Sequence, residues 1–228
     1  MGLTEQDLAA IGLTLKLAGT TTLMLMLLGT PLAWWLSHTR RRWKTVIESL
    51  VALPLVLPPT VLGFYLLLAF SPQGGLGAPW NALTDSPLAF SFTGLLIGSM
   101  LYSLPFVVQP LQSGFEQLDE GLLQAAKTLG AGPLDRLRRL VIPLCKRSFL
   151  TAGILGFTHT MGEFGVVLMI GGNIPGETQV LSIILYDHVE TLDYSRAHWL
   201  AGGMLAFSAA ALLALYTAQR RKPAEVMP

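Results

Sequence analysis

Residues 116–147 read EQLDEGLLQAAKTLGAGPLDRLRRLVIPLCKR, a polar insert lodged between long apolar stretches. Leu118, Leu122, Ala125, Ala126 and Leu129 recur at the spacing of one helix face. Gly130-Ala131-Gly132 stops that helix, with Gly130 as the terminating glycine. Pro133 suits the first position of a second short helix, on which Leu134, Leu137 and Val141 share a face. The expectation is an amphipathic, basic helix–turn–helix along a membrane surface. Two readings of it are physically equivalent. It is a surface element held to lipid head groups, or a docking element whose small alanines seat in a partner's groove.

The flanking sequence supplies the membrane. A spanning helix needs about 20 mostly apolar residues, because unpaired backbone groups are costly in hydrocarbon. Five stretches meet that requirement. The first is Leu17 to Ser37, extendable back to Leu8 with Lys16 snorkelling outward. The second is Ser49 to Phe70, the third lies within Leu88 to Phe115, the fourth runs from Ser148 to Ile170 interrupted by Glu163, and the fifth is Ala197 to Ala218. Of 228 residues, 52% are hydrophobic and 13% charged, against about a quarter charged in soluble domains. So few charges do not cover a water-exposed globule. The chain reads as a single all-α integral membrane domain over residues 1–228.

The charges set the orientation. Arg40, Arg41, Arg42 and Lys44 follow the first span. Lys127, Arg136, Arg138, Arg139, Lys146 and Arg147 lie between the third and fourth, and Arg220, Arg221 and Lys222 follow the fifth. These are thirteen of the fifteen Lys/Arg, all on one side of a five-span chain. The positive-inside rule makes that side cytoplasmic, which puts the N-terminus outside and the C-terminus inside. Gly171 to Arg196 falls on the opposite side and is too short and polar to span easily, so a short external or re-entrant helix is expected there. Glu5 and Asp7 stand where a signal peptide would carry Lys/Arg, so no cleaved signal is expected. The lone Cys145 excludes a disulfide framework within one chain, and the four histidines show no metal-ligand spacing.

Inside the spans, three features stand out. Leu53-Pro54-Leu55-Val56-Leu57-Pro58-Pro59 cannot form a regular helix, and broken backbone at membrane depth needs cover from protein or water. Gly94 and Gly98 form a small-residue pair suited to close helix packing. Glu163, in Met161-Gly162-Glu163-Phe164-Gly165, is an acid at membrane depth, with His159 one turn earlier as a candidate partner. A structural role is expected for Glu163, holding a hydrogen bond or ion pair near the outer end of the span.

Gln124-Ala125-Ala126, Gly130, nine residues, then Leu140-Val141-Ile142-Pro143 resembles the EAA loop of ABC-importer permeases. Gln124 stands where that pattern has Glu, and Leu140 and Ile142 replace Ile and Leu. Leu53 to Pro59, Thr128 to Gly132, Gly162-Glu163-Phe164-Gly165 and Asn173-Ile174-Pro175-Gly176-Glu177-Thr178 look like the molybdate permeases, with related sulfate permeases sharing the Gly-Glu-Phe/Tyr-Gly portion.

The resemblance implies an ABC importer permease fold in a bacterial cytoplasmic membrane. Two copies would pair with two cytoplasmic ATPases, while an extracytoplasmic binding protein delivers the oxyanion. The docking loop would comprise Gln124, Ala125, Ala126, Gly130, Ala131, Gly132, Leu140, Ile142 and Pro143. Gly162, Glu163, Gly165, Asn173, Pro175, Glu177 and Thr178 would shape the outer mouth. No phosphate-binding Gly-x-x-x-x-Gly-Lys-Ser/Thr occurs in the chain, so ATP and magnesium are expected on the ATPase partner, with no cofactor, metal or catalytic residue here. Lipid is an expected partner and nucleic acid is not. Ser99, Ser103, Thr158 and Thr160 are candidates for lining the passage, because hydroxyl donors hold an anion weakly enough to release it.

Overall fold

The computed structural model describes residues 3–219, and every regular element among them is helical. Arg220, Arg221 and Lys222, counted above with the basic side, lie outside the described residues.

The chain opens with α1 (Glu5–His38). Asp7 N donates to Thr4 Oγ1 and Thr4 N donates to Asp7 Oδ2, a reciprocal cap that fixes where the helix begins. Its 34 residues span about 51 Å at 1.5 Å per residue, well beyond a hydrocarbon layer of about 30 Å. The first span therefore takes its full extension back past Leu8.

Next come α2 (Trp43–Val56) and α3 (Pro59–Phe70), which meet at 113°. One kinked span over Ser49 to Phe70 was expected; the structure has two helices with a complete break between them. Pro58 and Pro59 remove two successive N–H donors, and each proline drives the residue before it into extended backbone. Leu57 (ψ 136°) and Pro58 (ψ 133°) both lie there.

After α4 (Gly77–Thr84), α5 (Phe92–Glu116) starts from Ser91, whose Oγ accepts the N–H of Gly94. The polar insert forms α6 (Glu120–Thr128), α7 (Pro133–Arg136), a π-helical turn over Leu137–Val141, and α8 (Ile142–Leu144). Then α9 (Lys146–Met161) departs at 77° from the segment before it. The interruption expected at Glu163 within the span from Ser148 to Ile170 is a complete break. α9 ends at Met161, Gly162-Glu163-Phe164 leaves the helix, and a separate α10 (Gly165–Gly171) follows. α11 (Leu181–Glu190) is the short helix expected between Gly171 and Arg196, and α12 (Tyr194–Gln219) closes the chain. α1, α5 and α12 are long and apolar enough to cross a membrane, and counting each bent pair as one span raises the number to five.

α1, α5 and α9 pack side by side. Leu25, Leu36, Val107, Leu111 and Phe115 fill the half nearer the polar insert. Phe70, Leu95, Val166 and Ile170 fill the half where α3 and α10 lie on α5. The most apolar window of α12 is only 11% buried against 50% for α5, so α12 is the outer helix that presents its sides to lipid or a neighbour.

Side chains tie the two ends of the bundle together separately. At one end Lys44 Nζ lies 3.3 Å from Glu116 Oε1, and Gln112 Nε2 donates to Glu48 Oε1 at 2.6 Å. At the other, His188 Nε2 lies 2.8 Å from Asp7 Oδ1, and Leu181 N donates to Thr14 Oγ1 at 2.7 Å. The basic residues 40–44 and the polar insert thus share the end opposite α11.

The close approach of α3 and α10 rests on two glycines. A Cβ on Gly63 would sit 2.9 Å from Met169 Cβ and 3.2 Å from Val166 Cα; one on Gly165 would sit 2.9 Å from Pro59 Cβ. These obstacles are backbone or first side-chain atoms, which cannot swing aside. Gly63→Ala and Gly165→Ala are each expected to destabilise by about 1–3 kcal/mol through overpacking. Thermal unfolding in detergent checks this: the apparent Tm of both variants should fall, while Gly203→Ala, where a Cβ meets nothing within 4 Å, should match the parent.

Candidate functional site

Two places carry the residues singled out in the sequence. The first is the polar insert. Asp119 caps α6 by accepting the N–H of Gly121 at 2.8 Å. The helix ends in a Schellman arrangement, with Ala131 N donating to Ala126 O and Gly130 N to Lys127 O, both at 3.0 Å. That arrangement requires a left-handed residue, and Gly130 has φ +82°. Gln124, Ala125 and Gly130 are exposed and Ala126 is half-buried.

The apolar face differs from the expected one. Leu118 and Leu123 pack inward with Leu137, whereas Leu122 (50% exposed) and Leu129 (88% exposed) point away from the bundle. The sequence supplied more leucines than one face holds, and the π turn decides which side docks. That turn adds a residue, letting Val141 and Cys145 bury against α5, where Cys145 Sγ donates to Gly114 O. Leu140 is half-buried, Ile142 and Pro143 are exposed, and Ala131 and Gly132 are half-buried in the turn.

The second place is the junction of the two broken spans, where Pro59 and Thr60 meet Gly162 to Gly165. Glu163 is buried, 3% exposed, and its carboxyl is fully engaged. Ser99 Oγ donates to Oε2 and Ser103 Oγ donates to Oε1, both at 2.6 Å. His159 Nδ1 lies 3.5 Å from Oε1 and 2.8 Å from Ser103 Oγ, which is also 2.9 Å from Thr160 Oγ1. Since the one Ser103 proton goes to Glu163, Nδ1 of His159 carries the proton shared with Ser103 Oγ. Phe106 stacks on the ring at 3.9 Å and holds its plane. The carbonyl of Glu163 accepts from Ser182 Oγ, which ties α11 to the break.

Beside this network lies a cavity of about 520 Å³ walled by Thr60, Tyr102, Thr158, His159 and Phe164. Of the four hydroxyls picked from the sequence, Thr158 borders the cavity, with its Oγ1 donating to Ile154 O. Ser99 and Ser103 are buried and donate to Glu163, and Thr160, also buried, bonds Ser103 Oγ. Thr60 and Tyr102 were not singled out. The double proline marked the break in the backbone, but nothing in the linear pattern brings residue 60 beside residue 158.

The remaining outer residues form a tight loop between α10 and α11. Thr178 Oγ1 donates to Gly171 O at 2.6 Å and accepts from Ile174 N at 3.0 Å. Asn173 Nδ2 donates to Asp187 Oδ2 at 3.0 Å, and Gln179 Nε2 donates to Asn173 Oδ1 at 2.8 Å. Gln6 Nε2 extends the chain to Gln179 Oε1, anchoring the start of α1. Pro175 and Glu177 are not buried in this loop. No group of three or more His, Cys, Asp or Glu able to hold a metal ion occurs among the described residues.

Comparison with known proteins gives concordant results. The family model described as binding-protein-dependent transport system inner membrane component matches residues 26–220. The molybdenum transport system permease protein ModB of Azotobacter vinelandii is 56% identical over 97% of this chain and 98% of its own. The sulfate transport system permease protein CysT of Salmonella typhimurium is 33% identical over 95% of this chain and 78% of its own. Among solved structures, a bacterial ABC transporter involved in the import of the acidic polysaccharide alginate superimposes with a TM-score of 0.71 at 17% identity, covering 95% of this chain and 78% of that one. At that identity the likeness speaks for the fold.

Proposed function

Because the chain belongs to the family of binding-protein-dependent transport system inner membrane components, we propose that it is the permease subunit of an ATP-driven importer that passes molybdate or tungstate across the membrane. The observation that carries the substrate is the 56% identity, over 98% of its length, to a molybdenum permease, against 33% for a sulfate permease. The protein is a multi-pass inner-membrane protein and a transport subunit, not an enzyme. Its N-terminus lies outside and its C-terminus inside, as the basic residues require.

Two copies of the chain pair around the passage, two cytoplasmic ATPases bind ATP and magnesium, and an external binding protein delivers the anion at the α11 end. The polar insert is the ATPase contact. Leu122 and Leu129 stand open on α6 beside Ala125, and an apolar helix face this exposed calls for a partner. Closure of the ATPases moves α6, and Val141 and Cys145 carry that displacement into α5. Along α5 and α9 it reaches the junction, where the double proline and Gly162-Glu163-Phe164 interrupt both spans.

The cavity there suits a tetrahedral dianion in transit. Thr60 and Tyr102 add hydroxyl side chains to its wall. The Glu163 carboxyl stays engaged with two serines, so the wall is kept largely free of exposed negative charge. Such weak, neutral contacts favour release.

Uptake into proteoliposomes holding the permease, its ATPase and the cognate binding protein tests this reading. ATP should drive molybdate inward, with tungstate competing and sulfate competing poorly. Preferential sulfate uptake would reassign the substrate; uphill transport by the permease alone would overturn the coupling.

A further inference from the structure

We infer that the groove between α1 and the polar insert is a binding site for an anionic phospholipid. The groove encloses about 390 Å³ and is walled by Thr30, Pro31 and Trp34 on α1 and by Leu123 and Leu137 of the insert, with Arg136 at its polar edge. Apolar walls with one cation match an acyl chain attached to a negative head group.

Charge complementarity commits the groove to that occupant. The neighbouring cation Arg139 already has Asp135 at 3.6 Å, whereas Arg136 makes no ion pair among the described residues. Its Nε is buried without a hydrogen-bond partner, which costs free energy unless a ligand supplies an acceptor. A phosphodiester oxygen is the acceptor that a bilayer provides, and guanidinium matches its geometry. Basic pockets between helices on the cytoplasmic side take anionic head groups for this reason.

The level in the membrane also fits. Trp34 lies a turn before α1 ends at His38, and Arg40, Arg41 and Arg42 follow at once. Aromatic rings collect where hydrocarbon gives way to head groups. A lipid held there would bridge α1 and the insert, stiffening the element that docks the ATPase.

Co-purification measures it. The full-length protein is reconstituted in vesicles of equal phosphatidylglycerol and phosphatidylcholine, extracted in mild detergent, and its retained lipids are counted by mass spectrometry. The parent should retain phosphatidylglycerol in preference. Arg136→Gln should lower that preference about fivefold, the effect of one surface cation. Thr30→Phe, which fills the α1 wall while leaving Arg136 in place, should lower retained phosphatidylglycerol as well. The inference is overturned if the parent shows no preference, if Arg136→Gln leaves the ratio unchanged, or if inorganic phosphate at matched ionic strength displaces the lipid. The readout is lipid, not transport, so its failure leaves the proposed function standing.

Discussion

Glu163→Ala is expected to destabilise the solubilised protein by roughly 2–5 kcal/mol and to abolish uptake. The substitution leaves the Ser99 and Ser103 hydroxyls, both buried, without their acceptor. It also removes the partner beside His159 and opens a void where two broken spans meet. Glu163→Gln keeps the shape and one carbonyl acceptor. One serine hydroxyl can rotate to accept from the new amide, so the loss should be a fraction of that seen with alanine. Thermal unfolding in detergent, run beside molybdate uptake, separates the two variants. A Glu163→Ala protein that melts with the parent would show that the network does not hold the junction.

The second large effect belongs to the polar insert, on its proposed role as the ATPase contact. Gly130→Val should reduce ATP-driven uptake about tenfold or more while leaving membrane insertion and Tm nearly unchanged. At φ +82° a β-branched residue is strained by about 1–2 kcal/mol, and the Schellman closure of α6 would unwind to relieve it. No atom lies within 4 Å of the position a Cβ would take, so the strain is conformational and not a clash. Gly130→Asn tolerates the left-handed region better and should keep most of the activity. The ratio of anion moved to ATP hydrolysed in proteoliposomes reads this directly. An unaltered ratio in Gly130→Val would mean that the position of the α6 stop does not matter to coupling.

The sequence was most legible where chemistry is local. Gly130 as a helix stop, Pro133 as a start and the short α11 all follow from backbone rules that operate over a few residues. The basic clusters likewise declared one side of the chain, and the structure gathers residues 40–44 with the insert at one end. Less legible was the composition of the spans. A run of apolar residues with prolines reads the same whether the helix bends or breaks, and the 113° turn after Val56 depends on α10 covering the exposed backbone. On α6, leucines at several angles left the docking face undecided.

Sequence alone determined that this chain lives in a bilayer, which end is basic, and that one polar insert breaks into short helices at Gly130 and Pro133, because apolar length, charge count and glycine conformation act without knowledge of distant residues. Tertiary structure decided that Ser99 and Ser103 hold a buried carboxyl while Thr60, Tyr102, Thr158 and His159 wall the cavity. A hydroxyl's role depends on which atom from another helix stands within about 3 Å of it, and that pairing exists only once the helices have packed.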